Sequence, residues 1–74
     1  MKQLIYNKNI DRYVIVGEGE KRELHCGNAF EVLIGDEWIR TVIEMQWYNG
    51  KGKYYLTTRA LSLESIVAYN VPVR

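Results

Sequence analysis

The chain has 74 residues, 47% hydrophobic and 26% charged, with ten basic and nine acidic side chains and a net charge of +1. That composition excludes a disordered segment, leaves room for one small domain with an efficient core, and falls well short of the basic excess of a typical nucleic-acid binder. The lone cysteine, Cys26, excludes an internal disulfide, so the chain reads as cytoplasmic and reduced.

No apolar run approaches the ~20 residues of a membrane span. The start, Met1 to Asn7, has no apolar signal-peptide core and reads as the beginning of the domain. Charge is uneven: residues 1–44 carry six basic and eight acidic side chains, and residues 45–74 carry four and one. A modest positive face in the second half is the expectation.

Lys2 to Tyr6 reads as a short strand, followed by polar turn formers at Asn7-Lys8-Asn9. Arg12 to Val16 is β-branched and aromatic, hence a strand. Gly17 to Lys21 breaks it, Glu23 to Cys26 is the next extended piece, and Gly27-Asn28 is a second break. The most legible stretch follows. Phe30 to Ile34 and Glu37 to Thr41 flank Gly35-Asp36, a two-residue Gly-X turn, and so form a hairpin.

Closing that hairpin on Gly35-Asp36 opposes Ile34 to Glu37, Leu33 to Trp38, Val32 to Ile39, Glu31 to Arg40 and Phe30 to Thr41. Alternation then gives a core face of Phe30, Val32, Ile34, Ile39, Thr41, Ile43 and Met45. The other face holds Glu31, Leu33, Trp38, Arg40, Val42 and Glu44. The opposed charges of Glu31 and Arg40 support this register.

The second strand runs on to Tyr48. A turn over Asn49-Gly50-Lys51-Gly52 returns the chain through Lys53 to Thr58, pairing Trp47 with Tyr54, Gln46 with Tyr55 and Met45 with Leu56. Trp47 and Tyr54 then join the core face, and Tyr55 points outward. A helical turn is expected near residues 61–66. A last strand over Val67 to Val73 follows from the period-two placement of Val67, Tyr69, Val71 and Val73. Five to seven short antiparallel strands with one helical turn make an all-β fold, and the order resembles a small SH3-like barrel.

Leu24-His25-Cys26-Gly27-Asn28-Ala29-Phe30-Glu31-Val32, then Trp38-Ile39-Arg40-Thr41-Val42-Ile43-Glu44, then Tyr54-Tyr55-Leu56, together resemble a small bacterial family of unknown function. Arg12-Tyr13 and Val73-Arg74 fit the same pattern, and the likeness spans residues 12–74. The resemblance implies a phage or mobile-element accessory protein of Gram-positive bacteria and transfers no catalytic residue. Trp47 to Gly52 is longer than the family's usual connection.

His25 and Cys26 are adjacent, so on a strand they point to opposite faces and cannot act as a nucleophile–base pair. Cys26 is expected to fill a small buried space and His25 to bond to backbone or water. Neither they nor the Glu18, Glu20 and Glu23 cluster has the spacing of a metal site. Gly17-Glu18-Gly19 and Gly50-Lys51-Gly52 lack the spacing and following helix of a phosphate loop, and read as turns. No cofactor is implied, and the chain reads as a non-enzymatic binding module.

The leading surface is Leu33, Trp38, Arg40, Val42 and the outward Tyr55, an aromatic and aliphatic patch with a charged rim suited to a protein partner or to self-association. The competing reading has the N-terminal strand or the helical turn covering Trp38. An alternative function, nucleic-acid binding, would use Lys51, Lys53, Arg59 and Tyr55, with lysines for phosphate and tyrosine for stacking.

Overall fold

Left-handed backbone at a few turn residues fixes where the strands begin and end. The computed structural model describes residues 1–74. β1 (Gln3–Asn7), β2 (Arg12–Gly17) and β3 (Glu20–Glu23) form one antiparallel sheet in that order. β4 (Ala29–Ile34), β5 (Glu37–Tyr48) and β6 (Lys51–Leu56) form the second. A short helix, α1 (Leu63–Ala68), follows.

The β4–β5 register is the one expected from the sequence, from Phe30 opposite Thr41 to Ile34 opposite Glu37. The β5–β6 register differs by two residues. Asn49 and Gly50 both take positive φ, 49° and 79°, the geometry of a tight two-residue hairpin turn. Lys51 and Gly52 therefore belong to the strand, and Met45 faces Tyr54, Gln46 faces Lys53 and Trp47 faces Gly52. A shift of two preserves the faces. Glu18 and Gly19 form the same kind of turn, with φ 54° and 75°, so β3 begins at Glu20 and ends before His25-Cys26.

The expected last strand over Val67 to Val73 is replaced by helix at its start. Ser62 caps that helix, accepting a hydrogen bond from the Ser65 N–H at 3.1 Å, and Leu63 and Ile66 bury one face. The helix ends where Asn70 turns left-handed. The Asn70 N–H then donates to Val67 O and the Val71 N–H to Ile66 O, which satisfies the last carbonyls. Only Val73 bridges strands, pairing with Lys2 on one side and Val32 on the other.

That bridge joins the two sheets. The Glu31 N–H donates to Arg74 O, the Arg74 N–H to Glu31 O, the Leu33 N–H to Pro72 O and the Val73 N–H to Lys2 O. The strand order becomes β6-β5-β4, then Val73, then β1-β2-β3, with β3 and β6 sharing no ladder. The fold is small and all-β with six strands and one helix, open between its two end strands.

Between the sheets lie Leu4, Ile15, Leu24, Phe30, Val32, Ile43, Leu56, Leu63, Ile66 and Val73. Thr41 is buried with them and accepts from the Thr58 N–H. Tyr13 packs against Tyr6 at a tilt of 57° and meets Tyr54 edge-on, with centroids 5.1 and 5.9 Å apart, and ties the sheets together at one side. Burial pushes the Tyr13 phenol up, with Glu64 and Asp11 adding to it.

The core is shorter than the alternation implies. Ile34 and Trp47 lie on the core side of their strands but at opposite ends of the sheet, and both are exposed, Trp47 by 67%. The expected core role of Trp47 is thus corrected. Its strand outruns the elements that would cover it.

Candidate binding surface

Alternation places odd residues of β4 and β6 and even residues of β5 on the outer face of the second sheet. Leu33, Trp38, Arg40, Val42 and Tyr55 all fall there, together with Glu31, Glu44, Gln46, Tyr48, Lys51 and Lys53. Leu33 faces Trp38, Ala29 faces Val42, and Glu44 faces Tyr55 across the ladders. The five residues read as one patch do share one face. Arg59 does not; it lies in the loop before α1.

Trp38 and its aliphatic neighbours Leu33 and Val42 are half-buried. The C-terminal Arg74 covers part of Trp38, and Met1, Lys2 and Glu18 line a small depression beside it. The Arg74 guanidinium stacks on the indole, 4.2 Å from the ring centroid. Arg74 Nε also donates to Glu31 Oε1 at 3.0 Å. Glu31 therefore forms its ion pair with Arg74, while Arg40 opposite it makes no side-chain hydrogen bond or ion pair.

The far end of the same sheet is different. Beyond Met45, both faces of the β5–β6 hairpin meet solvent, and the hairpin projects as an arm. Trp47 stands 67% exposed on one face and Tyr48 57% exposed on the other, with Tyr55 44% exposed behind Tyr48. Trp47 has no side chain opposite it because its partner is Gly52. Met45 occupies the space over Gly52, where a Cβ would come 2.5 Å from Sδ. Sequence reasoning missed Trp47 by extending the core face along the whole strand. The signal was available in Asn49-Gly50, which puts Trp47 two residues from a tight turn.

A groove of about 790 Å³ runs along the free edge of β6 and the segment leading to α1. Lys53, Tyr54, Tyr55 and Leu56 form one wall, and Arg59, Leu61 and Ser62 are on the other. β6 has one neighbour, β5, so its outer backbone edge is unpaired.

The Leu24 to Val32 segment carries a buried residue, a tight turn and the entry to β4. Leu24 is buried, and its N–H donates to Tyr13 O. His25 to Asn28 form a β-turn closed by the Asn28 N–H on His25 O, with Gly27 at φ 90°, and the Asn28 side chain accepts from the His25 N–H at 2.7 Å. The Gly27 N–H and Asn28 O then pair with Ile43. Cys26 is exposed in this turn, which corrects its expected burial, because the chain turns there and does not run as a strand. His25 is exposed as well. No three His, Cys, Asp or Glu side chains gather as a metal set would require.

No curated protein and no solved structure matches the chain. The family described as domain of unknown function (DUF5348) matches residues 2–71, and the chain belongs to that family.

Proposed function

We propose that the chain is a non-enzymatic binding module of a phage or other mobile element that acts by protein–protein contact. The supporting observation is Trp47, 67% exposed on an arm that contributes nothing to the core. An indole in water has a large apolar surface to bury, and tryptophan is among the residues that dominate protein interfaces. Tyr48 and Tyr55 extend the contact on the arm's other face, and Leu33, Trp38, Arg40 and Val42 continue it along β4 and β5. The free edge of β6 offers main-chain pairing to an extended partner segment. A host defence protein in the cytoplasm is the partner class that a mobile-element origin suggests.

Photo-crosslinking tests this reading. A photoreactive residue replaces Trp47 in one variant and Lys21, in β3, which pairs with β2 and not with the strands of the arm, in another. Expected is a discrete protein adduct at position 47 in Gram-positive host cells and none at position 21; a dimer of the chain itself would assign the surface to self-association. Equal labelling at both positions contradicts the reading.

One observation favours nucleic acid as a second reading. Tyr48, Lys51, Lys53 and Tyr55 share one face of the arm, and neither lysine is paired with a carboxylate. Affinity for single-stranded nucleic acid would then fall steeply with added salt, whereas an apolar protein contact would respond little.

A further inference from the structure

At the end of the outer face away from the arm, three arginines from distant parts of the sequence converge. Arg22 comes from β3, Arg40 from β5 and Arg74 from the C-terminal segment, and together with Glu31 they line a surface depression of about 390 Å³. Like charges repel, so such a convergence costs stability unless something offsets it. Glu31 is the only carboxylate side chain there, which leaves a side-chain charge of +2. The site stays positive when a terminal carboxylate on Arg74 is counted.

Two of the three guanidiniums are held in place by contacts that leave donors free. Arg22 donates through Nη2 to Ala29 O at 2.9 Å. Arg74 uses Nε on Glu31 and holds its Cζ over the Trp38 ring, and neither of its Nη groups makes a hydrogen bond. Arg40 engages no protein acceptor and is exposed at the rim. Positioned guanidinium forks around an excess of positive charge suit a tetrahedral oxyanion, which accepts several charge-assisted hydrogen bonds at once.

We propose that Arg22, Arg40 and Arg74 form a binding site for a phosphate group. Ala29 and Phe30 form its floor, and Glu31 serves to orient Arg74 and does not contact the ligand. The site lies away from the arm, and Arg40 is the one residue it shares with the contact surface proposed along β4 and β5. The phosphate could belong to a small phosphorylated molecule or to a nucleic-acid backbone, and the chemistry of recognition is the same.

The test follows the arginine side-chain N–H resonances of the full chain during titration with inorganic phosphate, and separately with a short oligothymidylate. Expected is saturable movement of the Arg22, Arg40 and Arg74 signals. Arg40→Gln should weaken phosphate binding about tenfold, the loss of one charge-assisted contact. Arg40→Lys should recover only part of it, because an ammonium lacks the planar fork. Lys8→Gln removes the same charge at a distance and should change affinity less than about twofold.

If the oligonucleotide moves the same signals and competes with phosphate, the group comes from a nucleic-acid backbone. If phosphate alone binds, a small phosphorylated ligand is indicated. Absence of saturable movement, or equal losses in Arg40→Gln and Lys8→Gln, overturns the site and leaves the arm reading intact. Arg40 is exposed and makes no side-chain hydrogen bond or ion pair, so its variants are expected to fold.

Discussion

Thr41 and Trp47 lie on the same face of one strand, β5, in opposite surroundings: Thr41 is 1% exposed and Trp47 67%. Around Thr41 the strand has β4 on one side, the Thr57-Thr58 segment that follows β6 on the other, and a core beneath it. Around Trp47 it has one short partner strand and water on both faces. Period-two patterning is identical along the two halves, so what distinguishes them is the reach of the surrounding elements. β4 ends its pairing with β5 at Val42, and the isolated bridge at Val73 lies over Val32, far from the arm. A strand that continues past its cover contributes little to stability there and is free to make contacts elsewhere.

Substitutions graded along that strand sharpen the contrast. Ile43→Ala, in the middle of the core, should cost about 2–5 kcal/mol in urea unfolding, enough to leave a chain of this size partly unfolded. Thr41→Val keeps the shape but deprives the Thr58 N–H of its acceptor, and a loss of about 1–2 kcal/mol is expected in the same assay. Ser62→Ala removes the cap of α1 and should lower stability by about 1 kcal/mol. Trp47→Ala should change stability by no more than about 0.5 kcal/mol while abolishing the crosslinking partner's binding. A loss from Trp47→Ala as large as that from Ile43→Ala would erase the distinction between the halves.

The smallest effect is electrostatic and lies in the other sheet. Lys2 pairs with Glu20, and that contact holds the Glu20 carboxyl below its ordinary value of 4.5. A carboxylate whose folded pKa is depressed stabilises the protein above its unfolded pKa. That contribution fades as pH falls below about 4.5 through the folded value. Lys2→Gln should move the Glu20 titration, followed by NMR, back up toward its ordinary value and leave neutral-pH stability almost unchanged.

The first hairpin was legible because two signals agree: a Gly-X turn, and alternation that buries Phe30 and Val32 while facing Glu31 to Arg40. The second slipped by two residues because Asn49-Gly50-Lys51-Gly52 contains two glycines and hence two plausible loop lengths; parity survived, so each side chain still fell on its correct face. Val67, Tyr69, Val71 and Val73 satisfy a strand pattern, but the Ser62 cap and the Leu63–Ile66 spacing prevailed over the first of them. The candidate patch was legible up to its cover. That Arg74 would stack on Trp38, or that Arg22 would reach the same depression, depends on contacts between residues far apart in sequence, and no local spacing encodes such contacts.

Amide hydrogen exchange along β5 in the free protein tests the division most directly. The Ile43 N–H, bonded to Asn28 O at 3.0 Å, should exchange only through global unfolding, while the amides of Gln46 and Tyr48, which face β6, exchange through local opening at a much lower free energy. Equal protection along the whole strand would mean that the arm is part of the cooperative core, and would contradict its reading as a free contact element.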